Sequence, residues 1–174
     1  ERFGRVDVLF ANAGVAKFAP AVAFTEEAYD AVMTTNVKGV YFTIQKALPL
    51  LAPGASVIIN SSIAASTGRA TSTVYSASKA AVSSFGRTFA TELVGRGIRV
   101  NVVSPGPIET PIYARPSGAP PEAIAAMKQR MTASVSMQRF GTADEVARAV
   151  LFLASDEASF ITGADVAVNG GVGA

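Results

Sequence analysis

The stretch Ser56-Val57-Ile58-Ile59-Asn60-Ser61-Ser62 is an apolar run that ends abruptly in polar side chains. A short apolar run with such an end is typical of a buried strand. Residues 74–93 follow it, and they are rich in Ala and Ser and carry Phe85 and Phe89 four positions apart. That spacing places both rings on one face of a helix. A strand followed by a helix is the repeating unit of an α/β fold.

The same alternation continues on both sides of this unit. Thr25 and Thr142 are good N-caps, and each precedes a pair of acidic residues that suits the start of a helix. The first of these helices carries apolar residues at helical spacing as far as Leu48. Further strands are predicted at Val6–Ala11, residues 99–103 and Asp165–Val168, a short helix at residues 122–134, and a Pro-rich loop from Pro105 to Pro121. Together these elements predict a doubly wound parallel sheet with helices on both faces.

Polar or glycine-containing stretches stand at the carboxyl ends of three predicted strands. They are Asn12-Ala13-Gly14, Ser61-Ser62 and Pro105-Gly106. In open α/β sheets, ligands bind beyond the carboxyl ends of the strands. The sequence therefore predicts a ligand site at this edge of the sheet.

Composition excludes several classes of function. The chain has 174 residues, which suits one domain, and its net charge of +2 comes from scattered Lys and Arg, so nucleic acid is not an expected partner. It has no Cys and no His, which excludes Ser-His-Asp hydrolysis and argues against a metal site. No apolar run approaches the ~20 residues of a membrane span. We therefore expect a cytoplasmic protein with no membrane partner.

Tyr75 and Lys79 are the candidate catalytic pair. Residues four apart lie one turn apart on the same helix face. An ammonium beside a phenol favours the phenolate, so this spacing predicts a pKa for Tyr75 lowered from about 10 toward neutrality. Such a phenol can exchange a proton with an alcohol or a carbonyl. Taken alone, the pair also fits a solvated lysine beside a structural tyrosine.

Five motifs in order carry a resemblance that covers essentially the whole chain. They are Asn12-Ala13-Gly14, Asn36-Val37-Lys38-Gly39, Asn60-Ser61-Ser62, Tyr75-Ser76-Ala77-Ser78-Lys79 and Ser104-Pro105-Gly106-Pro107. In this order and spacing the chain resembles the short-chain dehydrogenase/reductase family, and looks closest to bacterial ketoreductases and glucose-1-dehydrogenase-like members. The resemblance implies a Rossmann-type domain and an NAD(P)-dependent oxidoreductase that interconverts a secondary alcohol and a carbonyl.

The resemblance also implies catalytic roles. Tyr75 would be the general acid and base, while Lys79 would lower the pKa of Tyr75 and bind the nicotinamide ribose. Ser62 would hold the substrate oxygen, with its neighbour Ser61 as the competitor. Asn36 would distort its helix and hold a water molecule in a proton relay, whereas an ordinary exposed asparagine is the alternative.

The cofactor implied by the family is NADP or NAD, and the choice is not readable from this sequence. Besides Tyr75 and Lys79, its expected contacts are Asn12, Ala13, Gly14, Pro105, Gly106, the backbone of Ile108 and the hydroxyl of Thr110. Residues 107–135 would form the substrate lid. In family members the helices that carry Asn36 and Tyr75 pack between subunits, so a homodimer or homotetramer is expected.

One family feature is missing from the sequence. No Gly-rich phosphate-binding turn precedes Asn12, and Glu1 to Asp7 resembles the segment that leads into the family's fourth strand. We therefore expect residues 1–174 to be the C-terminal part of one domain, without its first two βαβ-type units, on the order of 60–70 residues. Val6–Ala11 would then form an exposed apolar edge that is prone to aggregation. A naturally shortened gene product is the alternative.

Two other functions compete with the oxidoreductase. A non-catalytic fragment or scaffold could keep the site residues without the phosphate-binding turn. An epimerase or dehydratase could use the same Tyr and Lys, but the chain offers no extra substrate domain.

Overall fold

The sheet is the framework of the molecule, and the computed structural model describes residues 3–113 and 120–173. Four parallel strands lie in the order β1-β2-β3-β4. They are β1 (Val6–Ala11), β2 (Leu51–Asn60), β3 (Arg99–Pro105) and β4 (Asp165–Val168). The α-helices of the described residues are α1 (Glu26–Met33), α2 (Val40–Ala47), α3 (Thr73–Leu93), α4 (Pro121–Ala133) and α5 (Ala143–Ala154). The predicted parallel α/β architecture is confirmed.

Both predicted N-cap residues cap the helices that follow them. The Thr25 hydroxyl accepts a hydrogen bond from the backbone N–H of Ala28 at the start of α1. Thr142 and Glu145 form a reciprocal capping box at the start of α5. These contacts satisfy N–H groups that the first turn of a helix leaves unpaired.

The helix expected to run on from Thr25 as far as Leu48 is interrupted. Between α1 and α2 the backbone widens into a π-helical turn, Thr34–Gly39, in which Asn36 is buried. π-turns inside helices are rare and frequently mark functional sites. The prediction of one regular helix was therefore wrong, while the distortion expected at Asn36 is confirmed.

The two faces of the sheet carry different cores. On what we call the first face, α2 and α3 pack on β1, β2 and β3. Its fully buried side chains include Ile44, Val57, Ile59, Val82 and Val100. On the second face, α5 packs on β2, β3 and β4 around a smaller cluster, Ile58, Val103, Leu153 and Ala158.

Strand β1 is the edge of the described sheet, since it pairs with β2 alone. Val8 and Phe10 in this strand are 47% and 37% exposed, which confirms the predicted exposed apolar edge. Along the described residues, no helix combines the length and the apolar character that a membrane span requires.

Candidate active site

The predicted polar stretches lie together at the carboxyl edge of the sheet. β1 ends at Ala11, β2 at Asn60 and β3 at Pro105, and each leads directly into one of them. The parallel register pairs Ala11 with Ile59 and Asn60 with Val103, so the three strand ends are neighbours. The topology thus gathers side chains that are far apart in sequence into one site.

Helix α3 presents the tyrosine and the lysine to this edge. Lys79 is only 5% exposed, and its Nζ donates a hydrogen bond of 2.9 Å to the backbone oxygen of Asn60. The same Nζ lies 5.9 Å from the centre of the Tyr75 ring. A solvated lysine is therefore excluded, and the cation sits one helical turn below a partly buried phenol.

The predicted lowering of the Tyr75 pKa is wrong for this structure. Burial raises the pKa of Tyr75 above its ordinary value near 10, and a hydrogen bond with the Ser62 side chain offsets part of the increase. Burial also lowers the pKa of Lys79 to about 8. The prediction considered only the attraction between ammonium and phenolate, whereas removal of both groups from water disfavours both charged forms.

The two adjacent serines have separate roles. The Ser61 hydroxyl is buried, donates to the backbone oxygen of Lys79 (3.0 Å) and accepts from Ser83 (2.8 Å), so it fixes α3 on the sheet. The Ser62 side chain is partly exposed and interacts with the Tyr75 phenol, whose pKa it lowers. This separation favours Ser62 over Ser61 as the group that meets a substrate oxygen.

Asn36 is 1% exposed, which excludes an ordinary surface asparagine. Its Oδ1 accepts from the N–H of Val15 (2.8 Å), and its Nδ2 donates to the backbone oxygen of Val15 (2.9 Å) and to Ser78 Oγ (3.0 Å). A Cβ added to Gly14 would lie 3.4 Å from both Asn36 Oδ1 and Lys79 Nζ. The side chain of Asn36, which belongs to the π-turn, therefore lies next to Gly14 and near the Lys79 Nζ.

The stretch after β3 is held in a defined path. Gly106 donates to the backbone oxygen of Val168 (3.0 Å), and a Cβ there would lie 2.8 Å from the Cα of Asn169, so only glycine fits. Ile108 is buried and bridges to Gly141, while the exposed Thr110 hydroxyl is 3.5 Å from the Ile108 oxygen. The loop expected over the cofactor thus runs beside the carboxyl end of β4.

Comparison with known proteins identifies the family. Residues 1–173 match the family model described as enoyl-(acyl carrier protein) reductase. A 3-oxoacyl-[acyl-carrier-protein] reductase of Thermotoga maritima is 40% identical over 174 residues, which cover 99% of this chain and 68% of that protein. The chain belongs to the short-chain dehydrogenase/reductase family. The match supports an oxidoreductase that uses NAD or NADP.

Solved structures agree with this assignment. The crystal structure of levodione reductase superposes with a TM-score of 0.90 at 32% identity, over 98% of this chain and 67% of that one. A blue fluorescent protein from a metagenomic library, crystallised in complex with NADPH, superposes with a TM-score of 0.88 at 35% identity, over 98% and 66%. The chain thus spans about two thirds of the length of these short-chain dehydrogenases/reductases.

The polar groups at this edge of the sheet are compatible with binding of the family's cofactor. The side-chain Nδ2 of Asn60 donates to Asn12 Oδ1 (2.6 Å), whereas the buried Asn60 Oδ1 meets no partner among the described residues. A buried acceptor without a partner is costly, and a ribose hydroxyl or a carboxamide N–H would satisfy it. Gly14 keeps the space over Asn36 and Lys79 free, as close approach of a ligand requires.

The described part of the predicted lid packs against the loop after β3. Lys128 of α4 forms a 2.6 Å ion pair with Glu109, and Met131 and Val135 are buried. The remainder of the lid prediction, residues 114–119, falls outside the described residues.

Two features of the site escaped the sequence analysis. Phe18 lies edge-on against the Tyr75 ring, with ring centres 5.5 Å apart, and no motif marks a lone aromatic residue in a loop. Asp165 accepts hydrogen bonds from Ser83 (2.9 Å) and Ser104 (2.5 Å) and so extends the network that holds Ser61. Ser83 and Asp165 are 82 positions apart, a pairing that local patterns do not reveal.

Proposed function

We propose that the protein carrying this chain interconverts a secondary alcohol and a carbonyl, with Tyr75 as the general acid and base. The observation that supports this most directly is the interaction of the Tyr75 phenol with Ser62, just beyond the end of β2, together with the buried Lys79, whose Nζ lies 5.9 Å from the centre of the Tyr75 ring. Two hydroxyls side by side can hold one substrate oxygen. One of them can orient that oxygen while the other transfers the proton.

Burial raises the pKa of Tyr75, which keeps the phenol protonated at neutral pH. A protonated phenol is the form that donates a proton to a carbonyl oxygen. With a pKa of about 8, Lys79 remains mainly positively charged at pH 7. Its charge then stabilises the phenolate that forms as the proton leaves, and this attraction is strong where water is excluded. The reverse reaction needs the phenolate and should accelerate as the pH rises.

The cofactor would be NAD or NADP, and when bound it supplies or accepts the hydride. We assign its contacts to Asn12, Ala13, Gly14, Tyr75, Lys79, Pro105, Gly106, Ile108 and Thr110. Asn36 would hold a water molecule that returns a proton to Lys79. Its side chain is already hydrogen-bonded to Val15 and Ser78, so the water molecule would have to be held by the Asn36 backbone.

The lid would comprise residues 107–135 of a single domain.

We also propose a homodimer or homotetramer that uses α2 and α3, since Phe42 of α2 is 42% exposed. Light scattering coupled to size exclusion tests this, because a monomeric mass would overturn it.

A deuterium-transfer experiment tests the reaction. The protein is incubated with a methyl ketone and NADPH or NADH deuterated at the nicotinamide C4, and the product is examined by mass spectrometry. We expect a secondary alcohol that carries deuterium on its carbinol carbon. Cofactor binding without oxidation across a series of ketones would instead support the non-catalytic scaffold.

A further inference from the structure

In the segment between β1 and α1, the ring of Phe18 packs against the ring of Tyr75, the proposed proton donor. Phe18 meets Tyr75 in an edge-to-face arrangement, with ring centres 5.5 Å apart and an angle of 65° between the planes. Aromatic pairs favour this geometry. The Phe18 side chain is nevertheless 47% exposed, so part of the ring remains free for another contact.

Hydrogen bonds on both sides of Phe18 fix its position. Before it, Val15 is held through its N–H and its oxygen by the buried Asn36. After it, Ala19 donates a hydrogen bond of 3.0 Å to the backbone oxygen of Thr71. Phe18 therefore lies in a short backbone segment that is anchored on both sides, with its ring against that of Tyr75.

The surface next to this pair is mainly apolar. A cavity of about 360 Å³ is lined by Ala19 and Val74, the chain neighbours of Phe18 and Tyr75, although neither aromatic ring is part of its wall. Its apolar lining is Ala19, Ala21, Phe24, Tyr29 and Val74. Among the described residues that line it, Glu26 is the charged one. Such a surface suits a hydrocarbon group better than a charged group.

We propose that Phe18 is a specificity-determining residue, and that its exposed ring receives an aryl or bulky alkyl group attached to the substrate's carbonyl carbon. The proposal rests on the proposed function, because the carbonyl oxygen must lie at Tyr75 and Ser62. With the oxygen there, a substituent on the carbonyl carbon comes within reach of the ring that contacts Tyr75. Carbonyl compounds with small or charged substituents gain nothing from this contact.

The test compares kcat/KM for methyl ketones whose second substituent grows from methyl to phenyl, from acetone to acetophenone. The wild-type protein should prefer acetophenone. Phe18→Ala should reduce the acetophenone-to-acetone ratio about tenfold, and Phe18→Leu should give an intermediate ratio. Phe160→Ala removes a fully exposed phenylalanine elsewhere and is the matched control, with an unchanged ratio.

The outcomes separate this inference from the proposed function. An unchanged ratio in Phe18→Ala, with thermal unfolding like that of the wild type, would overturn the role of Phe18 and leave the reaction intact. A wild-type protein that reduces acetone but not acetophenone would also overturn it. A wild-type protein that binds NAD(P)H and reduces no ketone of the series would overturn the proposed function and this inference with it.

Discussion

The first face of the sheet, covered by α2 and α3, differs from the second face, covered by α5, in both packing and chemistry. The first face has a continuous core, from Ile44 on α2 to Val82 on α3, and α3 itself carries Tyr75 and Lys79. The core of the second face is confined to the region of Leu153, and Phe10 of β1 remains 37% exposed.

The difference shows what the proposed chemistry requires. Close packing positions Lys79 and removes it from water, which lowers its pKa to about 8. The buried hydroxyl of Ser61, bonded to the Lys79 oxygen, fixes the helix on the strand that ends at Ser62. The second face supplies none of the proposed catalytic side chains, so its main contribution is to hold the sheet.

The largest contrast should come from two serines of the same polypeptide stretch. Ser62→Ala should lower kcat/KM for carbonyl reduction about 10²–10³-fold, since it removes the hydroxyl that we propose holds the substrate oxygen. Ser56→Ala, on the second face, removes a buried hydrogen bond of 2.8 Å to the Leu153 oxygen. It should cost about 1–3 kcal/mol of stability and leave kcat/KM nearly unchanged.

Steady-state kinetics well below the unfolding temperature of each variant checks this contrast. If Ser56→Ala lost as much activity as Ser62→Ala, catalysis would depend on both faces. The difference between the two faces of the sheet would then not separate a catalytic face from a supporting one.

Ile58 and Ile59 provide a matched test of the two cores. They are adjacent in β2, both are 0% exposed, and they point to opposite faces. Truncation of a buried isoleucine to alanine costs about 2–5 kcal/mol, depending on how far the surroundings collapse. We expect Ile59→Ala near the upper end and Ile58→Ala near the lower end, measured by denaturant unfolding. The reverse order would contradict the difference in packing.

Burial of Lys79 should appear in the pH dependence of stability. The pKa of Lys79 in the folded protein, about 8, lies below its ordinary value of 10.5, so between pH 8 and 10 the unfolded chain binds more protons. Stability should therefore rise with pH in this window, by up to about 1.4 kcal/mol per pH unit, relative to Lys79→Met. If the unfolding free energies of the wild type and of Lys79→Met changed with pH in the same way from pH 8 to 10, Lys79 would not be desolvated in the folded protein.

Strands with a strong apolar pattern were predictable from the sequence. The predicted bounds of β1 and β4 are those of the structure. β2 begins at Leu51 instead of residue 56 and so includes Pro53-Gly54, a pair of residues that usually breaks a strand. The register between β1 and β2 shifts at this point, from Val6 with Leu51 to Val8 with Ser56, so the Pro-Gly pair fits in an irregularity of the strand.

Much of the candidate site was predictable because it consists of short motifs at strand ends. Tyr75, Lys79 and Ser62 do come together, and Asn36 is drawn to them by the π-turn. The direction of the Tyr75 pKa shift was not predictable, because it depends on burial by distant parts of the chain. The contact of Phe18 with Tyr75 depends on the path of a loop, for which the sequence has no periodic pattern.

The most direct test of the central claim is carbonyl reduction by Tyr75→Phe, with Tyr41→Phe on α2 as the matched control. Tyr75→Phe removes only the proposed proton donor. It should lower kcat/KM about 10²–10⁴-fold while NADPH or NADH still binds to the variant. Tyr41→Phe should retain the wild-type rate. Carbonyl reduction by Tyr75→Phe within about tenfold of the wild-type rate would contradict the account.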